Sequence, residues 1–397
     1  MEKTKIVFLG GIFSEKIHPI ILQNSKGVIQ NAADALQKSF LKGIKHYNKD
    51  IKILNLPFIG SYPNLYNQLQ IRFENDDYEG IKVENVPFNN LKGYKIFSRF
   101  IATYKEIINL KNATFVIYSL NISFLLAVYC NKILNKSNRV VLIIPDLPEF
   151  MNSENTFLKK CMLKIQDFVV RKLIFSKIDC FVLLTEQMAV RLRLDKSKVQ
   201  VIEGIYSDDI IQKHLIKEDK FRILYTGTLA KRYGILDLLS QFSIIEDENM
   251  ELLICGAGDG VDEVMTFLNN DKRIKYLGQL PRAEILNLQR TCSLLVNPRK
   301  PEEFTKYSFP SKTMEYFASG TPVLMYKLQG IPTEYFDYCF TLDESNINSL
   351  SIQICKIKNI PLEIRASLGL EAQKFILNKK NPKQQLLKIK YLLDGNH

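Results

Sequence analysis

From its first strand-like run to its last hundred residues the chain alternates short apolar runs with amphipathic helical stretches, and the alternation restarts at Phe221. Strands joined through helices pair in parallel, and a parallel sheet must be covered on both faces. This pattern predicts an α/β fold with strands at Lys5–Leu9, Ile51–Leu56, Thr114–Ser119, Val140–Ile144, Cys180–Leu184 and Val199–Glu203, and an amphipathic helix between Ile29 and Ile44. A second series follows at Phe221–Thr226, Glu251–Cys255, Lys275–Leu277, Ser293–Val296, Pro322–Met325 and Tyr338–Thr341, with helices at 234–245, 260–269, 281–290 and 311–319. Each half opens strand–Gly–helix, as a Rossmann-like unit does. At 397 residues the chain is too long for one ordinary core, so two domains are expected, residues 1–206 and 221–375, joined by a polar linker at 207–220. Two helical patterns in 361–394 break at Asn381-Pro382.

Composition narrows the function classes. Apolar residues make up 46% and charged residues 24%, the balance of a folded chain without a membrane span. The apolar part of the N-terminal MEKTKIVFLGG lasts only from Ile6 to Leu9, which reads as a buried strand rather than an export segment. Seven scattered cysteines and four unpaired histidines give neither a disulfide framework nor a zinc site, and no Asp-x-Asp metal motif occurs; Asp208-Asp209 reads as part of the linker. A net charge of +12 asks for an anionic partner. The lysines are dispersed and no nucleic-acid motif accompanies them, so nucleic acid is not expected. The Lys-rich amphipathic stretch 157–177 fits either an anionic membrane surface or a core helix with a solvated edge, and a second, basic-aromatic stretch at 91–111 adds to the membrane reading.

The residues that can do chemistry lie mostly in the second half. Tyr307–Val323 reads YSFPSKTMEYFASGTPV. Ser308, Ser311 and Thr313 can cap or line a helix N-terminus, where free N–H groups attract phosphate. Lys312 adds a cation, Glu315 one turn later can accept hydrogen bonds from a ribose diol, and Gly320 ends the helix before Pro322 and an apolar strand. Upstream, Tyr225–Gly234 sets Gly227 and Thr228 beside Lys231 and Arg232, a Gly turn next to two cations that suits a diphosphate. Cys255–Gly260 (CGAGDG) supplies Gly256 and Gly258, but Val261 stands at the third Rossmann glycine and the loop opens the second βα unit, which argues against a nicotinamide cofactor.

Together these segments resemble the signature of family 4 retaining glycosyltransferases, in the FPSK…EY…G.PV variant common among bacterial polysaccharide enzymes. The resemblance implies GT-B, two Rossmann-like domains facing a cleft, with residues 376–397 forming a helix that returns to the first domain. It implies donor binding by Gly227, Thr228, Gly256, Gly258, Ser311, Lys312 and Glu315, with diphosphate held by Lys231 and Arg232. It places Gln279, in the YLGQL segment, near the nucleotide base. Many members carry a first Glu eight residues before the second; Tyr307 occupies that position here and takes its place toward the transferred sugar. In the first half, the Gly10-Gly11 turn lets backbone approach the donor, or is simply a tight turn. Asp146, at the carboxyl end of an apolar strand, either orients a sugar hydroxyl or serves as a turn residue before Pro148.

The implied function is transfer of a sugar from a nucleotide diphosphate sugar, UDP favoured over GDP, to a glycan or polyprenyl-linked acceptor in bacterial surface polysaccharide synthesis. Configuration is retained, no metal or other cofactor is expected, and the expected place is the cytoplasm, at the inner face of the plasma membrane. A GT-B epimerase acting on a UDP-sugar and a non-catalytic nucleotide-sugar-binding protein are the alternatives.

Overall fold

The computed structural model describes residues 5–27, 29–147, 170–207 and 219–394. Most of the amphipathic stretch 157–177, and Asp208-Asp209 with most of the expected linker, lie outside them. The chain divides into two compact units, Met1–Ser207 with Pro382–His397, and Asp208–Asn381.

The first unit contains β1 (Lys5–Gly10), β2 (Ile51–Asn55), β3 (Gln70–Ile71), β4 (Asp76–Tyr78), β5 (Ile81–Asn85), β6 (Phe88–Asn89), β7 (Ala113–Tyr118), β8 (Arg139–Ile144), β9 (Cys180–Leu183) and β10 (Val199–Val201). Its helices are α1 (His18–Asn24), α2 (Asn31–Tyr47), α3 (Lys95–Ile107), α4 (Ile122–Leu134) and α5 (Glu186–Leu192). The main sheet runs β10-β9-β8-β7-β1-β2-β5-β4. All neighbours pair in parallel except β4, which turns back against β5. Strand β7 is buried at every position, as an interior strand covered by helices on both faces must be.

The second unit contains β11 (Phe221–Thr226), β12 (Met250–Cys255), β13 (Ile274–Tyr276), β14 (Leu294–Asn297), β15 (Val323–Tyr326) and β16 (Phe340–Leu342). With them go α6 (Ile235–Ser243), α7 (Val261–Asn270), α8 (Arg282–Thr291), α9 (Ser311–Ala318), α10 (Ser349–Lys358) and α11 (Leu362–Lys379). The sheet order is β13-β12-β11-β14-β15-β16, parallel throughout. The order reverses direction at β11, so the loops after β11 and β14 diverge to opposite faces at the sheet's carboxyl edge, where open α/β sheets bind ligands.

Helix α11 belongs to the second unit, its Phe375 ring packed edge-on against Tyr335 and stacked on Tyr338. The chain re-enters the first unit only at Pro382, with α12 (Pro382–Leu387) and α13 (Lys390–Leu393). Leu386, Ile389, Leu392 and Leu393 then join the core of β1, β2 and α2. Gly43 permits this docking, because a Cβ there would lie 2.6 Å from the Leu386 side chain and 2.7 Å from the Pro382 carbonyl. Gln385 donates to the Gly204 carbonyl at 2.7 Å and Thr114 to the Leu392 carbonyl at 3.1 Å. Among the described residues no helix is long and apolar enough to cross a membrane.

Candidate functional site

At the carboxyl edge of the second sheet the loops after β11, β12 and β13 are tied to one another. The Gly256 N–H donates to the Gly278 carbonyl at 2.8 Å, the Tyr276 hydroxyl to the Gly256 carbonyl at 2.8 Å, and the Gly227 and Leu229 N–H groups to the Cys255 and Ala257 carbonyls at 3.0 and 2.9 Å. Gly256 sits at φ +143°, and a Cβ there would fall 1.8 Å from the Gly227 carbonyl oxygen. Gly258 is as confined, 2.5 Å from the Leu229 carbonyl. The glycines of CGAGDG are thus required for loop-on-loop packing. Gly227 has nothing closer than 3.7 Å at its Cβ position, and Thr228 and Gln279 are exposed.

Helix α9 brings the motif's charges to this edge. Glu315 is 9% exposed and accepts three hydrogen bonds, from Gln289 Nε2 at 2.6 Å, Lys312 Nζ at 2.8 Å and Arg282 Nη1 at 3.3 Å. Burial on its own would raise this carboxyl, but Lys312, Gln289 and Arg282 together outweigh it and hold it below the ordinary glutamate value of 4.5. Lys312 sits close enough to the end of β12 to act on the Cys255 thiol, which burial nevertheless pushes up to about 11. The adjacent Tyr316 locks the helix to β11. Its buried hydroxyl accepts from the Thr226 N–H at 2.8 Å and donates to the Thr226 carbonyl at 3.0 Å, while Gln289 Nε2 reaches Thr226 Oγ1 at 3.1 Å. Replacing Tyr316 with Phe strands both Thr226 groups; urea unfolding is expected to show a loss of about 1–3 kcal/mol.

The start of α9 differs from the sequence expectation. The N-cap position is Pro310 and no side chain caps the helix; Ser311 is exposed, and the Ser308 and Thr313 hydroxyls are buried without a hydrogen-bond partner. Proline at the cap, whose fixed φ orients the turn, replaces the side-chain cap. Two other charges also have local partners. Lys231 Nζ is paired with Glu263 of α7, and its backbone N–H donates to Asp259 at 3.0 Å. Arg232 lies over the Tyr233 and Phe304 rings at 5.0 and 5.2 Å. Arg299, just after β14, covers the same two rings at 4.5 and 4.7 Å, and its Nε is buried without a partner. Burial lowers the Arg299 pKa from its ordinary value. The Tyr307 hydroxyl donates to Glu303 at 2.9 Å, one turn back along its short 3₁₀ helix.

Gln289, Arg282 and Arg299 escaped the sequence reading. Arg282 had one signal, its place as the first helical residue after the YLGQLP turn. Gln289 had none, since it meets Glu315 across 26 residues of chain.

Gly10, Gly11 and Asp146 belong to the first unit. Gly11 donates its N–H to Gln37 at 2.8 Å, and a Cβ on it would lie 2.8 Å from both the Leu56 carbonyl and the Phe58 ring. Asp146 is exposed beyond the end of β8. Its charge reaches the buried Tyr118 hydroxyl, whose pKa is raised first by burial and then by Asp146 and Asp34.

Solved structures share this fold over nearly the whole chain. HepE from Anabaena, crystallised with UDP, superposes with a TM-score of 0.65 at 16% identity, over 99% of this chain and 100% of that one. Sucrose-phosphate synthase from Thermosynechococcus elongatus gives 0.65 at 14% identity, over 98% of each chain. The fold is GT-B. TarM from S. aureus gives 0.63 at 12% identity, over 98% of this chain and 99% of that one. Residues 207–393 match the family model described as glycosyl transferases group 1, a stretch that takes in the second GT-B unit and the returning C-terminal helices. No curated protein matches the chain in sequence.

Proposed function

We propose that this GT-B chain is a retaining glycosyltransferase of the family 4 type, using a UDP-sugar as donor and a glycan or polyprenyl-linked acceptor of bacterial surface polysaccharide synthesis. The observation that carries the reading is the Glu315 carboxylate, ionised and buried one turn into α9 among Lys312, Arg282 and Gln289. A carboxylate so held accepts from a ribose diol, while Lys312 and the helix start face a diphosphate. HepE has been solved with UDP and with UDP-glucose, which supports uridine over guanosine for the donor.

In the proposed reaction the anomeric C–O bond breaks and the diphosphate leaves with the electron pair. The acceptor hydroxyl forms the new C–O bond on the same face, and its proton passes to the departing diphosphate. Charge on that diphosphate is met by Lys312, Arg232 and Lys231, with no metal or other cofactor in the scheme. Lys231 can exchange its Glu263 partner for phosphate because that pair is solvent-exposed and held weakly. Asp146 is given the acceptor-orienting role from its place at the carboxyl end of β8, Tyr307 the contact to the transferred sugar, and Gln279 the contact to the base.

Calorimetric titration tests the donor class. UDP is expected to bind the wild type and raise its melting temperature, GDP to do so at least tenfold more weakly, and Lys312→Ala to weaken UDP binding about tenfold or more. Absence of binding by any nucleotide diphosphate would overturn the reading; tighter binding of GDP would overturn the choice of uridine.

A further inference from the structure

The chain carries 42 acidic residues, yet none falls within residues 16–33, 51–73 or 85–105. The first unit folds these three stretches against one another. Asn67 and Lys26 N–H groups tie the first two through the Asn24 and Leu65 carbonyls at 3.0 and 3.1 Å. Tyr62 and Asn90 N–H groups tie the last two through the Asn90 and Leu69 carbonyls at 3.0 and 2.7 Å. Beneath them, the buried Arg99 of α3 donates to the Pro57 and Leu56 carbonyls at 3.1 and 2.9 Å, and Lys95 to the Ile59 carbonyl at 2.6 Å.

This scaffold holds large apolar side chains outward. Leu65 is 55% exposed, Ile96 54%, Phe97 53% and Tyr94 47%, with Leu91 and Leu22 also exposed. Exposed Lys26, Arg72 and Lys92 stand on the same segments. Exposed aromatic and aliphatic groups beside basic residues, on stretches that carry no acidic residue, match a bilayer interface, where rings sit at headgroup depth and lysines meet lipid phosphate. A second copy of this chain would bring the same positive charge and be repelled. A nucleic acid would leave the aliphatic groups without an apolar partner.

We infer that this face, formed by the start of α3 and the 61–69 and 22–26 segments, docks the first unit onto an anionic lipid surface. The inference does not rest on the donor site, since lipid docking needs no nucleotide. Flotation with vesicles of phosphatidylcholine and phosphatidylglycerol in equal parts, against phosphatidylcholine alone, tests it. The wild type is expected to float with the anionic vesicles and to be released by added salt. Tyr94→Ser with Phe97→Ser is expected to weaken partitioning about tenfold or more at every salt concentration. Lys26→Gln and Lys92→Gln are each expected to lower it about fivefold at low salt. All four side chains are exposed, and the one backbone bond among them, from Lys26 Nζ to the Pro63 carbonyl at 2.9 Å, is solvent-exposed and weak, so melting temperatures should stay close to the wild type. Failure of the wild type to float overturns the inference, as do variants that bind like the wild type. Loss of binding through Lys159→Gln with Lys160→Gln instead would move the docking surface to 157–177. A wild-type dimer split by the Tyr94 and Phe97 changes, with no lipid binding, would identify a self-association face.

Discussion

Replacing Glu315 with alanine is expected to weaken UDP binding roughly 10²- to 10³-fold, with kcat/KM for the UDP-sugar falling at least as far, because truncating one member of a buried, hydrogen-bonded charge cluster costs about 2–5 kcal/mol of binding. The side chain is the common acceptor for Lys312, Arg282 and Gln289. Its removal takes away both the ribose acceptor and the group that aims Lys312. The cost to the fold is smaller. Arg282 and Lys312 are partly exposed and rehydrate, leaving Gln289 Nε2 with Thr226 alone, so stability should fall by about 1–3 kcal/mol. A binding loss that exceeds the stability loss separates a ligand role from a structural one; equal losses would make Glu315 structural. Glu315→Gln keeps an acceptor oxygen and is expected to fall between wild type and alanine. Since the folded carboxyl lies below 4.5, its ionised form stabilises the fold above that pH, and the benefit is lost as pH falls through the lowered value. The stability gap between wild type and Glu315→Gln should therefore shrink on acidification below about pH 4.5.

Gly256→Ala is expected to destabilise the second unit by about 2–6 kcal/mol, combining backbone strain at positive φ with overpacking. Its Cβ would fall 1.8 Å from the Gly227 carbonyl oxygen, a backbone atom that can yield only by moving the 227–229 loop. That movement breaks the ladder between Leu229 and Ala257 and displaces the turn beside Lys231. Gly278→Ala is the control, because Gly278 has φ +67° with no atom within 4 Å of its Cβ position. It should lose only about 1–2 kcal/mol of backbone strain. Urea unfolding and limited proteolysis of the two variants check the contrast; equal losses would show that the loops are not packed as described.

Much of this fold was legible in the chain. Apolar runs such as Phe115–Ile117 and Leu252–Ile254 are buried in the interior of a sheet, and the helix expected at 311–319 is found at Ser311–Ala318. The short strands β3, β4 and β6 went unread because two- and three-residue pairings carry no period, whereas the five-residue β5, with Ile81, Val83 and Asn85 turned inward, carried the alternation and was not read. At the site, Lys312 and Glu315 were readable because they lie one helical turn apart, a separation that local geometry fixes. Lys231 and Arg232 were readable as cations, but their partners were not. Tyr233 is the next residue along the chain, but Glu263 and Phe304 reach them only through the packing of separate segments.

By itself the sequence determined the strand and helix periods, the break at Pro382, and the charge types gathered at the second sheet's edge. Those are local properties, set by side-chain spacing and backbone sterics within a few residues. Only the tertiary structure decided that Gln289 and Arg282 complete the Glu315 cluster, that Gly256 serves a loop contact, and that three acid-free stretches share one face. Each of these depends on which distant segments the sheets bring within hydrogen-bonding reach, and no local spacing encodes that.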